Sequence, residues 1–263
     1  MPRPSLLIPV LALTVFCAGP ALAQPPATDA SIQFRKEIAL GQQLAHEVER
    51  QDGTVADPAI VDYLDGIANR LAGAAGVKPF QIRVTRGLNR YAYLMPHGVL
   101  YISGPLLERV QSEAELAGLL AHQLAHARAP LAAAPGSGGT PVFLWPKCVL
   151  ASQAVSLKWA EDHREAERLA TETAIQTLRA AGYDPTAVLD LLSKLAYENP
   201  IWGKAINSDD LLDLRVKLDA DIAPKAGYVL DSSAFALERI RLGQALKEPL
   251  APRPRFAVAP PAR

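Results

Sequence analysis

Apolar and polar positions along the chain switch between helical and strand-like spacing. From Ile38, "IALGQQLAHEVERQ" sets apolar residues three and four apart and predicts a helix that carries His46. A second helix is expected at about 58–74, with Ile60, Tyr63, Leu64, Ile67 and Leu71 on one stripe and Pro58 in its first turn. "FQIRVTR" (80–86) then alternates as a strand does, and "YAYLM" and "GVLYIS" flank Pro96-His97-Gly98 as a strand pair would. Ser112-Glu113-Ala114-Glu115 reads as a capping box, opening a helix that runs to about Arg128. A long helix is expected over roughly 155–181, closed by Gly182 and Pro185, with two or three shorter helices after it. The last of these is "SAFALERIRLGQALK". The expected fold is α+β: one mostly helical domain with a small antiparallel sheet.

Other segments stand outside this pattern. The first 23 residues combine Arg3, the apolar run "LLIPVLALTVFCAGPALA" and Ala21-Leu22-Ala23, as an export signal cleaved before Gln24 does. Export is therefore expected, to the periplasm first, with secretion or a lipid anchor as alternatives. Val15-Phe16 before Cys17 fits lipid modification poorly. The remaining organisation reads as a linker at 24–34, the domain at 35–247 and a Pro-rich tail at 248–263. Within the domain, "APLAAAPGSGGTP" (129–141) is a loop. "VFLWPKCVLASQAV" (142–155) is apolar but too short to span a bilayer, and reads as a buried lid or irregular core segment. No membrane span is expected in the mature chain.

Charge excludes one class of partner: 27 basic residues balance 27 acidic ones without a basic run, so nothing recommends nucleic acid. Once the signal is set aside Cys148 is the only cysteine, and it reads as a small buried apolar residue.

The chemistry concentrates in "LLAHQLAHAR" (119–128). His122 and His126, four apart on a helix, can aim two imidazoles at one point, as a tetrahedral zinc requires. A third ligand must come from elsewhere. Glu161, Asp162, Glu165, Glu167, Glu172 and His163 crowd the start of the long helix, and spacing does not choose among them.

These segments together resemble the zinc metallopeptidases of the CAAX-prenyl-protease and heat-shock membrane-protease type, in their soluble exported branch. "EIALGQQLAHEVERQ" is similar to that family's opening helix. "YAYLMPHGVLYISGPLLERVQSEAELAGLLAHQLAH" resembles its strand, turn, strand and active-site helix. "AERLATETAIQTLRAAGYDP" resembles the helix of its third ligand, and the likeness covers about residues 35–245. The resemblance implies a zincin-type domain holding one zinc ion on His122, His126 and Glu167, with a fourth position open. It also implies a polypeptide substrate or client paired along the strand beside the active helix, here His97, Gly98, Val99, Leu100 and Tyr101.

The chain departs from this pattern at the chemistry. Gln123 stands where the family has a general-base glutamate, and a carboxamide takes up no proton at neutral pH. Thr171 stands where an aspartate would orient a ligand histidine. Ser233 falls near the place of a further histidine, and Tyr91 replaces an asparagine before Ala92. The expectation is an exported zinc-binding pseudo-peptidase. The alternatives are an active metalloendopeptidase with a substitute base, for which Glu115, His97 and His163 are the candidate groups, and a metal-free helical adaptor.

Overall fold

The computed structural model describes residues 29–95, 98–128, 153–221 and 227–248. The signal segment, the turn residues Pro96 and His97, the loop with most of the expected lid, and the tail beyond Glu248 lie outside those residues.

Local signals account for most element boundaries. Helix α1 spans Asp29–Asp52 and so begins inside the stretch read as a linker. Helix α2 spans Pro58–Ala75: the Asp57 carboxylate accepts a hydrogen bond from the Ala59 amide, and Gly76 closes the helix at φ 67°. Its stripe buries Ile60, Leu64, Ile67 and Leu71 as expected, with Tyr63 at the margin. Strands β1 (Gln81–Thr85), β2 (Ala92–Leu94) and β3 (Val99–Ser103) follow. The short helix α3 (Gly104–Leu107) leads to α4 (Glu113–Arg128). After the undescribed stretch come α5 (Gln153–Ala181), α6 (Ala187–Glu198), α7 (Pro200–Ala205), α8 (Ser208–Asp221) and α9 (Ser233–Lys247).

The fold is mostly helical α+β, but its sheet is mixed. The strand order is β1-β3-β2, with β1 parallel and β2 antiparallel to β3. β3 is therefore the middle strand: Leu100 and Tyr101 face a partner strand on either side, and Val99 pairs with β1. The expectation that this segment offers an open edge is corrected: alternation along a strand encodes its faces, not its neighbours. Among the described residues, the free side of the sheet nearest α4 belongs to β2.

Helix α4 is the centre of the core. It packs on α2, α5 and α6, and Ala114, Ala117 and Leu120 are fully enclosed. The closest approach is at Gly118, where an added Cβ would lie 2.9 Å from Val188 Cα of α6. Gly118→Ala is expected to destabilise the protein by about 1–3 kcal/mol through overpacking, despite alanine's advantage of about 1 kcal/mol in a helix. Denaturant unfolding of the metal-free protein checks this.

The start of α4 is held by a buried carboxylate. Glu113 accepts hydrogen bonds from Tyr63 of α2 at 3.0 Å, from Tyr183 at 3.2 Å and from the Ser232 hydroxyl. Ser232 also caps α9, and the Ala114 amide donates to the Leu230 carbonyl at 3.0 Å. Burial first, and then the charge of Glu113, push the Tyr63 phenol well above its ordinary range, so it stays a donor. Glu113→Ala leaves three hydroxyls without their acceptor and is expected to cost on the order of 3 kcal/mol, measurable as a lower denaturation midpoint.

The capping box forms with a shifted return bond. Ser112 Oγ accepts from the Glu115 amide at 3.1 Å, while the Glu115 carboxylate accepts from the Gln111 amide at 2.9 Å rather than from residue 112.

Candidate metal centre

Helix periodicity places His122 and His126 one turn apart on α4, and α5 brings Glu167 across to them. Nε2 of each imidazole lies 3.4 Å from the same oxygen, Oε2 of Glu167. The three potential ligand atoms all fall within 4.8 Å of one another. Zinc bonds of about 2.0–2.1 Å at tetrahedral angles set neighbouring ligand atoms about 3.3–3.4 Å apart, so both histidine-to-carboxylate spacings fit such an ion. The rings meet nearly edge to face, 85° between planes and 4.7 Å between centroids.

The hydrogen bonding of His122 gives an independent test of fit. Its Nε2 is buried and makes no hydrogen bond. The Glu167 main-chain carbonyl hydrogen-bonds the same ring, which leaves Nδ1 as the nitrogen that donates. A bare Nε2 lone pair then points toward a carboxylate oxygen, two electron-rich atoms with no proton shared between them. A cation between them resolves that arrangement, and a donating Nδ1 is the usual way a ligand imidazole is oriented.

Protonation agrees. Burial, then the charge of His126, pushes His122 down to about 4, so its ring is neutral at pH 7. Burial acts to raise Glu167, but the charge and hydrogen bond of His126, with the charges of His122 and His163, outweigh it and hold the carboxyl down to about 2. Burial likewise acts to lower His126, and the charge and hydrogen bond of Glu167 overcome it, leaving that imidazole raised.

The structure thus selects Glu167 from the acidic run. Glu161, Asp162 and Glu165 are exposed, and Glu172 pairs with Arg168 at 2.5 Å. Gln123 follows His122 and is partly exposed. Thr171 is buried, and its hydroxyl donates to the Glu167 main-chain carbonyl at 2.8 Å. Ser233 is exposed at the first turn of α9. Tyr91 is buried, with its hydroxyl 2.5 Å from Thr85 Oγ1 and donating to Asp52.

Of the substitute bases, His97 lies outside the described residues. Glu115 is tied to the Gln111 amide and, at 2.6 Å, to Lys194 at the far end of α4 from the ligands. His163, a candidate both as third ligand and as substitute base, is buried and lies outside the convergent group of three.

The model of peptidase family M48 matches residues 58–130, the run from α2 through the sheet to the histidine helix. Over this stretch the chain is similar to peptidase family M48. The beta-barrel assembly-enhancing protease of Yersinia pestis is 25% identical to it over 193 residues, which cover 64% of this chain and 39% of the relative. A protein of Vibrio cholerae serotype O1, provisionally given the same name, is 25% identical over 190 residues with the same coverage. The chain thus spans about two fifths of the length of these relatives. Peptidases of family M48 depend on zinc, and a His-His-Glu group able to bind a metal stands in the matched helix and across from it.

Proposed function

We propose that this protein is an exported, zinc-binding pseudo-peptidase that holds extended polypeptide and hydrolyses it poorly. The observation that carries the reading is the pairing of a convergent His122, His126 and Glu167 with Gln123 in the helix position next to the first ligand. Three protein groups leave a fourth position for water or a carbonyl, as in catalytic sites. Bound there, zinc would acidify water and polarise a carbonyl.

The chain's own residues limit how far that chemistry can go. His122, His126 and Glu167 hold the ion, with His122 fixed in its donating tautomer by the 167 carbonyl. Gln123 can hydrogen-bond a water but can neither accept its proton nor deliver one to a leaving amine. Glu115, engaged with Lys194, supplies no substitute.

The polypeptide would lie along β2, which is paired on one side by β3 and contacts α4. Main-chain hydrogen bonds to such an edge bind extended segments with little regard for sequence. Export rests on Arg3 and the apolar run after it. The names of the two relatives make β-barrel precursors of the outer membrane the clients to try first.

Zinc content of the purified protein, and cleavage of an unfolded substrate by wild type, Gln123→Glu and Glu167→Ala, test the reading. Strong chelator-sensitive turnover by wild type that Glu167→Ala abolishes would overturn it.

A further inference from the structure

Across residues 161–169, the early turns of α5, only His163 is buried, at 3% exposure. Its neighbours Glu161, Asp162, Arg164, Glu165 and Ala166 all face solvent. Removing an imidazole from water is costly unless something inside repays it. His163 lies one turn before Glu167, so both side chains leave the same face of the helix. The turn itself is anchored: Arg164 forms a two-pronged ion pair with Asp210 of α8, at 2.6 and 2.8 Å. The charge of His163 is among those felt by the Glu167 carboxyl. On the other side of Glu167, the buried Thr171 hydroxyl is committed to the main-chain carbonyl and offers the carboxylate nothing. His163 also falls outside the group of three whose ligand atoms converge.

We propose that His163 is a positioning residue for the metal, supporting the Glu167 carboxylate from the preceding turn in the orientation that zinc requires. This rests on the zinc-binding reading and adds a group to it. Residues behind a metal ligand restrict its rotation and tune its basicity, and losing one typically weakens metal binding about 10- to 100-fold.

Zinc affinity by competition with a chromogenic chelator, and the visible spectrum of the cobalt(II)-substituted protein, are compared for wild type, His163→Ala and His163→Gln. Thermal unfolding of each metal-free protein in chelator provides the structural control. The expected result is a loss of affinity of about 10- to 100-fold in His163→Ala with a shifted cobalt spectrum, and recovery of most of the affinity in His163→Gln. Should the alanine protein not fold, His163→Leu, which fills the space without a polar atom, is read in its place.

A loss under about threefold with an unchanged cobalt spectrum overturns the proposal, being well short of the range such residues supply. So does a loss that His163→Gln shares in full, since that marks a packing role. Wild type that binds no zinc overturns the zinc reading and this proposal together, whereas wild type that binds zinc with an indifferent His163→Ala overturns only this one.

Discussion

Gln123→Glu is expected to raise hydrolysis of an unfolded protein substrate by about 10²- to 10⁴-fold over wild type, the range that general acid–base catalysis supplies. In barrier terms this is roughly 3 to 5 kcal/mol. The change adds no ligand and little volume, because carboxylate and carboxamide are nearly isosteric. It alters one property, the capacity to take a proton from water and return it to the departing amine. The surroundings can accept the substitution: residue 123 is partly exposed, so an added carboxylate keeps part of its hydration. Zinc content should stay the same in both proteins, and a continuous assay with a quenched fluorescent unfolded substrate reads the difference. Equal turnover in wild type and Gln123→Glu would mean that the proton passes through another group, and the pseudo-peptidase reading would fall.

Glu167→Ala should have the larger effect on the molecule itself. Glu167 is the one group of the convergent three contributed from α5, and its Oε2 is the atom that both imidazoles approach at 3.4 Å. Without it two histidines on one helix remain, and zinc affinity should fall by more than the about 100-fold that losses behind a ligand cause. A zinc ion held there would also link α4 to α5. A ligand present at about a thousand times its dissociation constant adds about 4 kcal/mol to folding stability, and the variant should lose that increment. The expected signature is a zinc-dependent rise of the melting temperature in wild type and a flat response in Glu167→Ala. A variant that retains stoichiometric zinc would place the metal elsewhere.

Much of this architecture could be read from the sequence where the cause is local. Asp57, Pro58 and Gly76 mark the ends of α2 by themselves, and "SAFALERIRLGQALK" is α9 residue for residue. The histidine pair was equally open to reading, since helical periodicity alone places both rings on one face. What stayed hidden depends on partners distant in sequence. Nothing within "FQIRVTR" says that it will run parallel to β3 and enclose it, and that one pairing moved the open edge from β3 to β2. The capping box failed in its second half because the Glu115 carboxylate also answers to Lys194, 79 residues away in sequence. His163 stood among the candidates for ligand and base, but its burial amid charged neighbours depends on packing that the local sequence does not encode.

The brevity of β2 has a consequence for how the protein keeps its own company. Among the described residues, the edge strand Ala92–Leu94 presents about 10 Å of unpaired backbone, half the span of a common strand. Sheets that stack copy upon copy need long, flat borders to seed them, and short ones are among the devices by which folded chains stay apart. A molecule with this margin gives its own kind little backbone on which to nucleate a fibre.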